Sequence, residues 1–262
     1  MNARNQAFQY RPLTTIEVAS FQEQGYLQLG QVLTSEGVAQ MREECMQAWS
    51  ATKGNFDPDK SWLQNALLPN IHHQSPLVRE YYFSGPLVDV AEQLIGSNIK
   101  GATSQLTFKM RGNTKPFGWH QDNGYGQLNP YNAISCLTAL DHTDQDNGCL
   151  WLIPGSHRQG QIEVGAAGSA AERATQSELI VAADDKKAIP VPMKAGECLI
   201  FNCWTLHKSE GNFSSTRDRR ILFLRYADAD AVEVYRDNAP RLGRLLRGNT
   251  KFPSVMAFEQ DL

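Results

Sequence analysis

The spacing of apolar and polar positions changes near residue 98. Upstream of it, Val38, Met41, Cys45 and Trp49 recur at helical spacing on one face, and Thr34 or Ser35 can cap that helix. Thr14-Thr15-Ile16-Glu17 has the form of a capping box and opens a shorter helix that stops near Gly25. Tyr26-Leu27-Gln28-Leu29 then alternates as a short strand. Pro86 to Leu94 reads as a further helix, with Gly96 as its stop, whereas residues 50–75 lack a period and are expected to form a long loop. Downstream, turn residues separate short β-like runs at Ser104–Met110, Ile134–Leu140, Cys149–Ile153, Ala188–Val191, Glu197–Phe201 and Ile221–Tyr226. Residues 158–187, rich in Gly, Ala, Ser and charge, are expected to be a mobile insertion. Beyond Ala227 only Leu242–Leu246 suggests a helical turn. Helices first and strands afterwards predict a helical layer packed on an antiparallel barrel or sandwich.

Bulk properties narrow the function classes. At 262 residues the chain can form one large domain with a substantial core, and 41% hydrophobic with 20% charged residues is the balance of a globular protein. A net charge of -3 gives no reason to expect nucleic acid or an anionic membrane as partner. Cys45, Cys136, Cys149, Cys198 and Cys203 are odd in number and contain no Cys-x-x-Cys pair, which reads as reduced thiols. The opening residues lack the apolar centre of a signal peptide and no run approaches a membrane span, so a cytoplasmic protein is expected.

The chemistry concentrates at Trp119-His120-Gln121-Asp122. In an extended segment His120 and Asp122 share a face, because side chains alternate with period two. A second imidazole, His207, follows the apolar run Glu197–Phe201 near a strand end, and His-Lys-Ser begins a polar loop. Two imidazoles and one carboxylate suit Fe(II) with three coordination positions left open. A bare His-x-Asp pair also arises by chance, and a zinc hydrolase would accept the same three residues. What zinc would not explain is an inward arginine after the distal ligand. Arg219 shares the face of Ile221 and Phe223, where an unpaired guanidinium is costly unless a carboxylate answers it. Arg217 and Arg220 fit a solvated turn. His72-His73 falls in a loop and could line a pocket, while His142 and His157 flank the Asp146-Asn147-Gly148 turn and read as structural. There is no nucleophile elbow, Walker loop or dinucleotide glycine motif.

These residues carry a family likeness. The stretches FQEQGYLQL, SQLTFKM, WHQDNGY, DQDNGCLWLIPGSH and HKSEGNFSSTRDRRILFLRY, from about residue 14 to residue 226, resemble the phytanoyl-CoA dioxygenase family of Fe(II)/2-oxoglutarate-dependent oxygenases. The resemblance implies a mainly β fold, a double-stranded β-helix (jelly-roll) core with N-terminal helices packed outside. It would form a single domain with a helical part at about 1–97, a core at about 98–226 and a tail at 227–262. It also implies that His120, Asp122 and His207 ligate Fe(II), and that Arg219 grips the distal carboxylate of 2-oxoglutarate. Ser209 would support that carboxylate, and Gln105 would touch the co-substrate from the neighbouring strand. The interval from His207 to Arg219 is one residue longer than in familiar members, which keeps Arg217 as a fallback, and Lys208 stands where glycine is frequent.

The activity so implied consumes O2 and 2-oxoglutarate, releases succinate and CO2, and most often hydroxylates a C–H bond. Relatives that halogenate carry a small residue at the position of Asp122, so its presence favours oxygen transfer. Desaturation or ring formation by the same chemistry, or a non-catalytic jelly-roll binding protein, are the alternatives. Trp62, Trp119, Asn123, Tyr125 and Trp204 are candidate wall residues, for which core packing is an equal reading. Arg236, Arg241, Arg244, Arg247 and Lys251 make the tail basic, which would suit an acidic substrate or form a solvated face. The preferred substrate is a small natural product or an amino-acid-like molecule.

Overall fold

The first helix, α1 (Thr15–Gln24), starts as its capping box requires. The Thr14 hydroxyl accepts from the Glu17 amide at 3.2 Å, and the Glu17 carboxylate accepts from the Thr14 amide at 2.9 Å. It ends at Gly25 with φ 77°, where a Cβ would lie 2.2 Å from His157 Nδ1, so only glycine fits. The structure, a computed structural model, describes residues 6–55, 59, 65–122, 127–162 and 181–262. After β1 (Tyr26–Gln31), the Thr34 side chain caps α2 (Ser35–Thr52), which buries the stripe Val38, Met41, Cys45, Ala48 and Trp49.

Residues 50–75 are not simply a loop: they contain β2 (Leu67–Pro69) and a 3-10 turn at Ile71–His73. A helix that periodicity did not reveal follows, α3 (Pro76–Ser84), with the Ser75 hydroxyl capping it and proline in its first turn. Its buried Val78, Tyr81 and Tyr82 are weak helix formers, so packing of this face sustains the helix more than propensity does. The expected helix α4 (Pro86–Ile95) comes next.

Thereafter the chain forms strands: β3 (Ile99–Lys109), β4 (Phe117–His120), β5 (Leu128–Asn129), β6 (Ala133–Ala139), β7 (Leu150–Leu152), β8 (Ile189–Val191), β9 (Glu197–Asn202), β10 (His207–Ser209), β11 (Arg219–Asp228), β12 (Val232–Glu233), β13 (Ala239–Pro240) and β14 (Arg244–Arg247), before a short α5 (Pro253–Ala257). His207-Lys208-Ser209 is therefore a strand rather than the start of a loop. Leu242–Leu246 is no helical turn either, since Arg244–Arg247 pairs with the start of β3.

Two antiparallel sheets face each other. The longer runs β1-β9-β6-β11-β3-β14, and the shorter β4-β10-β7-β8. This is the jelly-roll architecture, with the helices outside. Both faces of the longer sheet are covered, which explains why β6 is buried throughout rather than alternating between buried and exposed positions. Leu222, Leu224 and Tyr226 of β11 join the core beneath the helices, while Leu137, Leu152, Phe201 and Ile221 fill the space between the sheets. Each such aliphatic side chain contributes about 1.5–3 kcal/mol by leaving water. The turn before β7 has Gly148 at φ 82°, where a Cβ would meet the Glu210 carbonyl oxygen at 2.5 Å. No helix among the described residues is long and apolar enough to cross a membrane.

Candidate active site

Strands β4 and β10 pair with His120 opposite His207, so the two rings sit side by side with centroids 4.1 Å apart. The strand ends at His120, and a turn carries the parity onward. The Gln121 amide points away, donating to the carbonyls of Gly160 (2.8 Å) and Trp204 (2.7 Å). Asp122, whose amide donates to the Cys203 carbonyl at 3.2 Å, returns to the side of His120. Its Oδ1 lies 3.6 Å from His207 Nε2, and the donor atoms of His120, Asp122 and His207 all fall within 4.8 Å of one another.

Each imidazole is oriented by a carbonyl two residues upstream. His120 Nδ1–H donates to Gly118 at 2.7 Å and His207 Nδ1–H to Thr205 at 3.0 Å, which leaves both Nε2 atoms free to ligate. Burial, aided by the neighbouring His207, lowers the His120 pKa to about 3, and burial lowers that of His207 as well. Both rings are therefore neutral near pH 7, as a metal ligand must be. Burial alone would raise the Asp122 pKa, but Arg225, then the two histidines and the Ser135 hydroxyl, hold it at about 2. Arg225 Nη2 is 3.2 Å from Asp122 Oδ2, and Ser135 donates to the same oxygen.

The triad opens into a cavity of about 280 Å3. All six residues expected from the sequence line it: His120, Asp122, His207, Arg219, Ser209 and Gln105. Arg219 is 2% exposed, and among the described residues no hydrogen-bond acceptor or carboxylate pairs with its guanidinium. Burial lowers its pKa to about 10, so it stays charged. Directly across the β3–β11 ladder stands Lys109, equally buried. Its ammonium donates to Ser209 Oγ at 2.9 Å, to the Ser209 carbonyl at 3.2 Å and to the Glu210 carbonyl. Burial, and then the Arg219 charge, drive the Lys109 pKa well down. The buried Arg219 guanidinium, with the Lys109 amine opposite it and no carboxylate paired to it among the described residues, is the kind of group that would receive a carboxylate. Between this end and the triad the walls are apolar, formed by Leu137, Phe201, Ile221 and Phe223.

The other candidates separate from the site. Arg217 binds Asp144 at 2.5 and 3.0 Å, and Arg220 binds Asp141 at 2.8 Å, so neither faces the cavity. Trp119 donates to Asp185 at 2.9 Å and Trp204 stacks on Tyr131 at 3.9 Å, packing roles outside the cavity lining. Trp62, Asn123 and Tyr125 lie outside the described residues, as do residues 163–180 of the expected insertion. Of the tail arginines, Arg236 binds Glu233, Arg244 binds the carbonyls of Glu259 and Leu262, and Arg247 binds Asp89. Only Arg241 reaches the cavity, held by Glu233 at 2.8 Å.

Among the charged residues lining the cavity, Lys109 and Arg225 are the two that reading the sequence missed. A signal for each was present. Lys109 keeps the parity of Gln105 and Thr107, and Arg225 keeps that of Arg219 and Phe223.

Comparison with known proteins bears on what this cavity serves. The sequence profile described as phytanoyl-CoA dioxygenase (PhyH) matches residues 21–221. The chain is 27% identical over 168 residues to a phytanoyl-CoA dioxygenase of Arabidopsis thaliana, a match spanning 64% of this chain but only 58% of that protein. It is 27% identical over 233 residues to a methylphosphonate hydroxylase of Gimesia maris, covering 85% of each. Among solved structures, the non-heme alpha ketoglutarate dependent carbocyclase SnoK from nogalamycin biosynthesis superposes with a TM-score of 0.70 over 90% of this chain and 95% of that one. At 24% identity that likeness speaks to the fold alone.

Proposed function

The chain belongs to the phytanoyl-CoA dioxygenase family and is a 2-oxoglutarate-dependent non-heme iron dioxygenase; on that premise we propose that it hydroxylates a C–H bond of a small, polar, amino-acid-like molecule. The observation that carries this reading is the Arg219 guanidinium, buried in the same cavity as the triad without a carboxylate to answer it.

The donor set fits the metal. His120 and His207 present unprotonated Nε2 atoms and Asp122 presents Oδ1, so these three would hold Fe(II) on one face and leave the opposite face open. The far end fits a dicarboxylate. Arg219 would clamp its distal carboxylate in a fork, with the Ser209 hydroxyl and Lys109 beside it, and Gln105 would bound it from β3. When bound, iron and 2-oxoglutarate supply oxygen activation and removal of the substrate hydrogen, with succinate and CO2 as co-products. The residues of the chain position and enclose. Phe201, Leu137, Ile221 and Phe223 keep water from the reacting centre. The Asp122 carboxylate fills a position that halide transfer would need, which favours hydroxylation. Thr103 and Arg241 also line the cavity and offer polar contacts, and about 280 Å3 suits a small substrate. The relative named a methylphosphonate hydroxylase agrees with a small polar substrate class.

The test is succinate formation from 2-oxoglutarate by the Fe(II)-loaded protein, first alone and then with a panel of small polar acids and amino acids. Product gaining one oxygen atom, read by mass spectrometry, is the expected outcome. Equal succinate output from Arg219→Met would overturn the reading.

A further inference from the structure

A second cluster with the same donor types lies outside the cavity, and the proposed reaction makes no use of it. His72 and His73, consecutive in the turn after β2, both aim Nε2 at one carboxylate. His72 meets Glu259 Oε2 at 3.1 Å, and His73 meets Oε1 at 2.9 Å. The three donor groups lie within 4.8 Å of one another. His72 Nδ1 sits 2.5 Å from the Ser104 hydroxyl. Ser104 belongs to the helix-facing parity of β3, whereas Thr103 and Gln105 on either side of it line the cavity. The cluster is thus separated from the first triad by the long sheet.

Its donor types and spacing are those of a candidate metal site. A tetrahedral zinc with bonds of about 2.0–2.1 Å sets its ligands roughly 3.3 Å apart, and each imidazole Nε2 already lies within a few tenths of an ångström of that spacing from a Glu259 oxygen. The Ser104 hydroxyl on the remote ring nitrogen of His72 is the kind of partner that orients a metal-bound imidazole. Burial lowers the His72 pKa against the pull of Glu259, which keeps that ring neutral. The His73 side chain is 43% exposed, which provides an entry path and a water-accessible fourth position.

The surrounding backbone is held from several directions. Arg79 donates to the carbonyls of His72 (3.0 Å) and His73 (3.2 Å), and Arg244 donates to the Glu259 carbonyl at 2.6 Å. Asn70 and Glu259, at the two ends of the cluster, both hold φ of 54°, a conformation that costs a non-glycine residue energy unless its surroundings impose it. Two nitrogens and one carboxylate favour a borderline ion over calcium or magnesium, which prefer oxygen alone.

We propose that His72, His73 and Glu259 form a second divalent-metal site, of the zinc class, that clips the C-terminal segment around α5 to the turn following β2. β2 contributes Leu67 to the cavity wall, so an ion here would stiffen one side of the substrate chamber from behind. The site does not depend on the reaction proposed above.

The experiment uses the full chain without an affinity tag, stripped with chelator, then loaded with Zn(II) and desalted. In a His120→Ala/His207→Ala background, which disables the first triad, metal analysis is expected to find one zinc per chain, with a rise in Tm on loading. Adding His73→Ala, at a half-exposed position that the fold does not need, is expected to weaken zinc binding about 100-fold and abolish the Tm rise. In the otherwise natural chain, His73→Ala should lower the zinc count by one while leaving Fe(II)-dependent succinate formation unchanged, a comparison that holds even if the double variant folds poorly. Zinc retained equally with and without His73, or absent from the first-triad variant at micromolar metal, would overturn the proposal.

Discussion

Arg225 holds Asp122 by the oxygen that faces away from His207: Nη2 to Oδ2 is 3.2 Å, with the Arg225 side chain buried and that of Asp122 12% exposed. With Ser135 on the same oxygen, the carboxylate is fixed as a charged, oriented group and Oδ1 is left for a metal. Arg225→Gln should therefore weaken Fe(II) or Co(II) binding by about 10–100-fold. It should also cost about 3–5 kcal/mol of stability, because a buried carboxylate loses its counter-charge. Arg225→Lys should recover part of both. Metal titration and denaturant melts read the two effects, and unaltered metal affinity in Arg225→Gln would remove the positioning role.

Arg219 makes the opposite trade. Its charge is buried without a partner, so replacing it by methionine should stabilise the protein by about 1–4 kcal/mol when no 2-oxoglutarate is present. The same change should raise the Kd for 2-oxoglutarate by about 100-fold or more, as a buried charge-assisted fork is lost. A rise in Tm accompanied by loss of calorimetric 2-oxoglutarate binding is the expected signature. A variant that is less stable and still binds would contradict it.

Asp122→Ala removes one of the three donors together with the counter-charge of Arg225. Succinate formation should fall to background and Fe(II) affinity should drop by about 100-fold or more. Undiminished turnover in this variant would dismiss the triad as the iron site.

The metal-free protein should lose stability on mild acidification. The His120 pKa is about 3 in the folded chain against an ordinary 6.5, so the unfolded chain binds the extra proton between those values. The contribution is fully present above pH 6.5 and declines as pH falls towards 3. It amounts to about 2 kcal/mol lost between pH 6.5 and 4.5, and His207 acts in the same direction. Denaturant melts of chelated protein and of His120→Gln across this range check it, and the variant should show the shallower pH profile.

Local rules made much of this molecule readable. Thr14 with Glu17, Gly25, the stripe along α2 and the Asn147-Gly148 turn are all settled by near neighbours, and the structure has each where the pattern put it. The parity of His120 and Asp122 survived although the strand stops between them, because Gln121 is tied to the backbone on the other side. The choice among Arg217, Arg219 and Arg220 was harder, since both faces of β11 are apolar. It is decided by Asp144 and Asp141, some 70 to 80 positions away in the chain, which draw off Arg217 and Arg220. Lys109 and Arg225 acquire meaning only once β3 pairs with β11 and Asp122 arrives from a distant turn. The strand at Arg244–Arg247 exists because the edge of β3 is there to receive it, and no window of local sequence contains that edge.

The strict alternation of β11 has an evolutionary corollary. Arg219, Ile221, Phe223 and Arg225 face the cavity while Leu222, Leu224 and Tyr226 face the helices. Inserting or deleting one residue in this strand would exchange those sets at a stroke, burying guanidinium beneath the helices and aiming leucine at the metal. This stretch can drift by substitution but not in length. Arg241, which the tail supplies to the cavity from between β13 and β14, is free of that constraint. Descendants of this chain can be remodelled there for a new substrate while inheriting the iron chemistry unchanged.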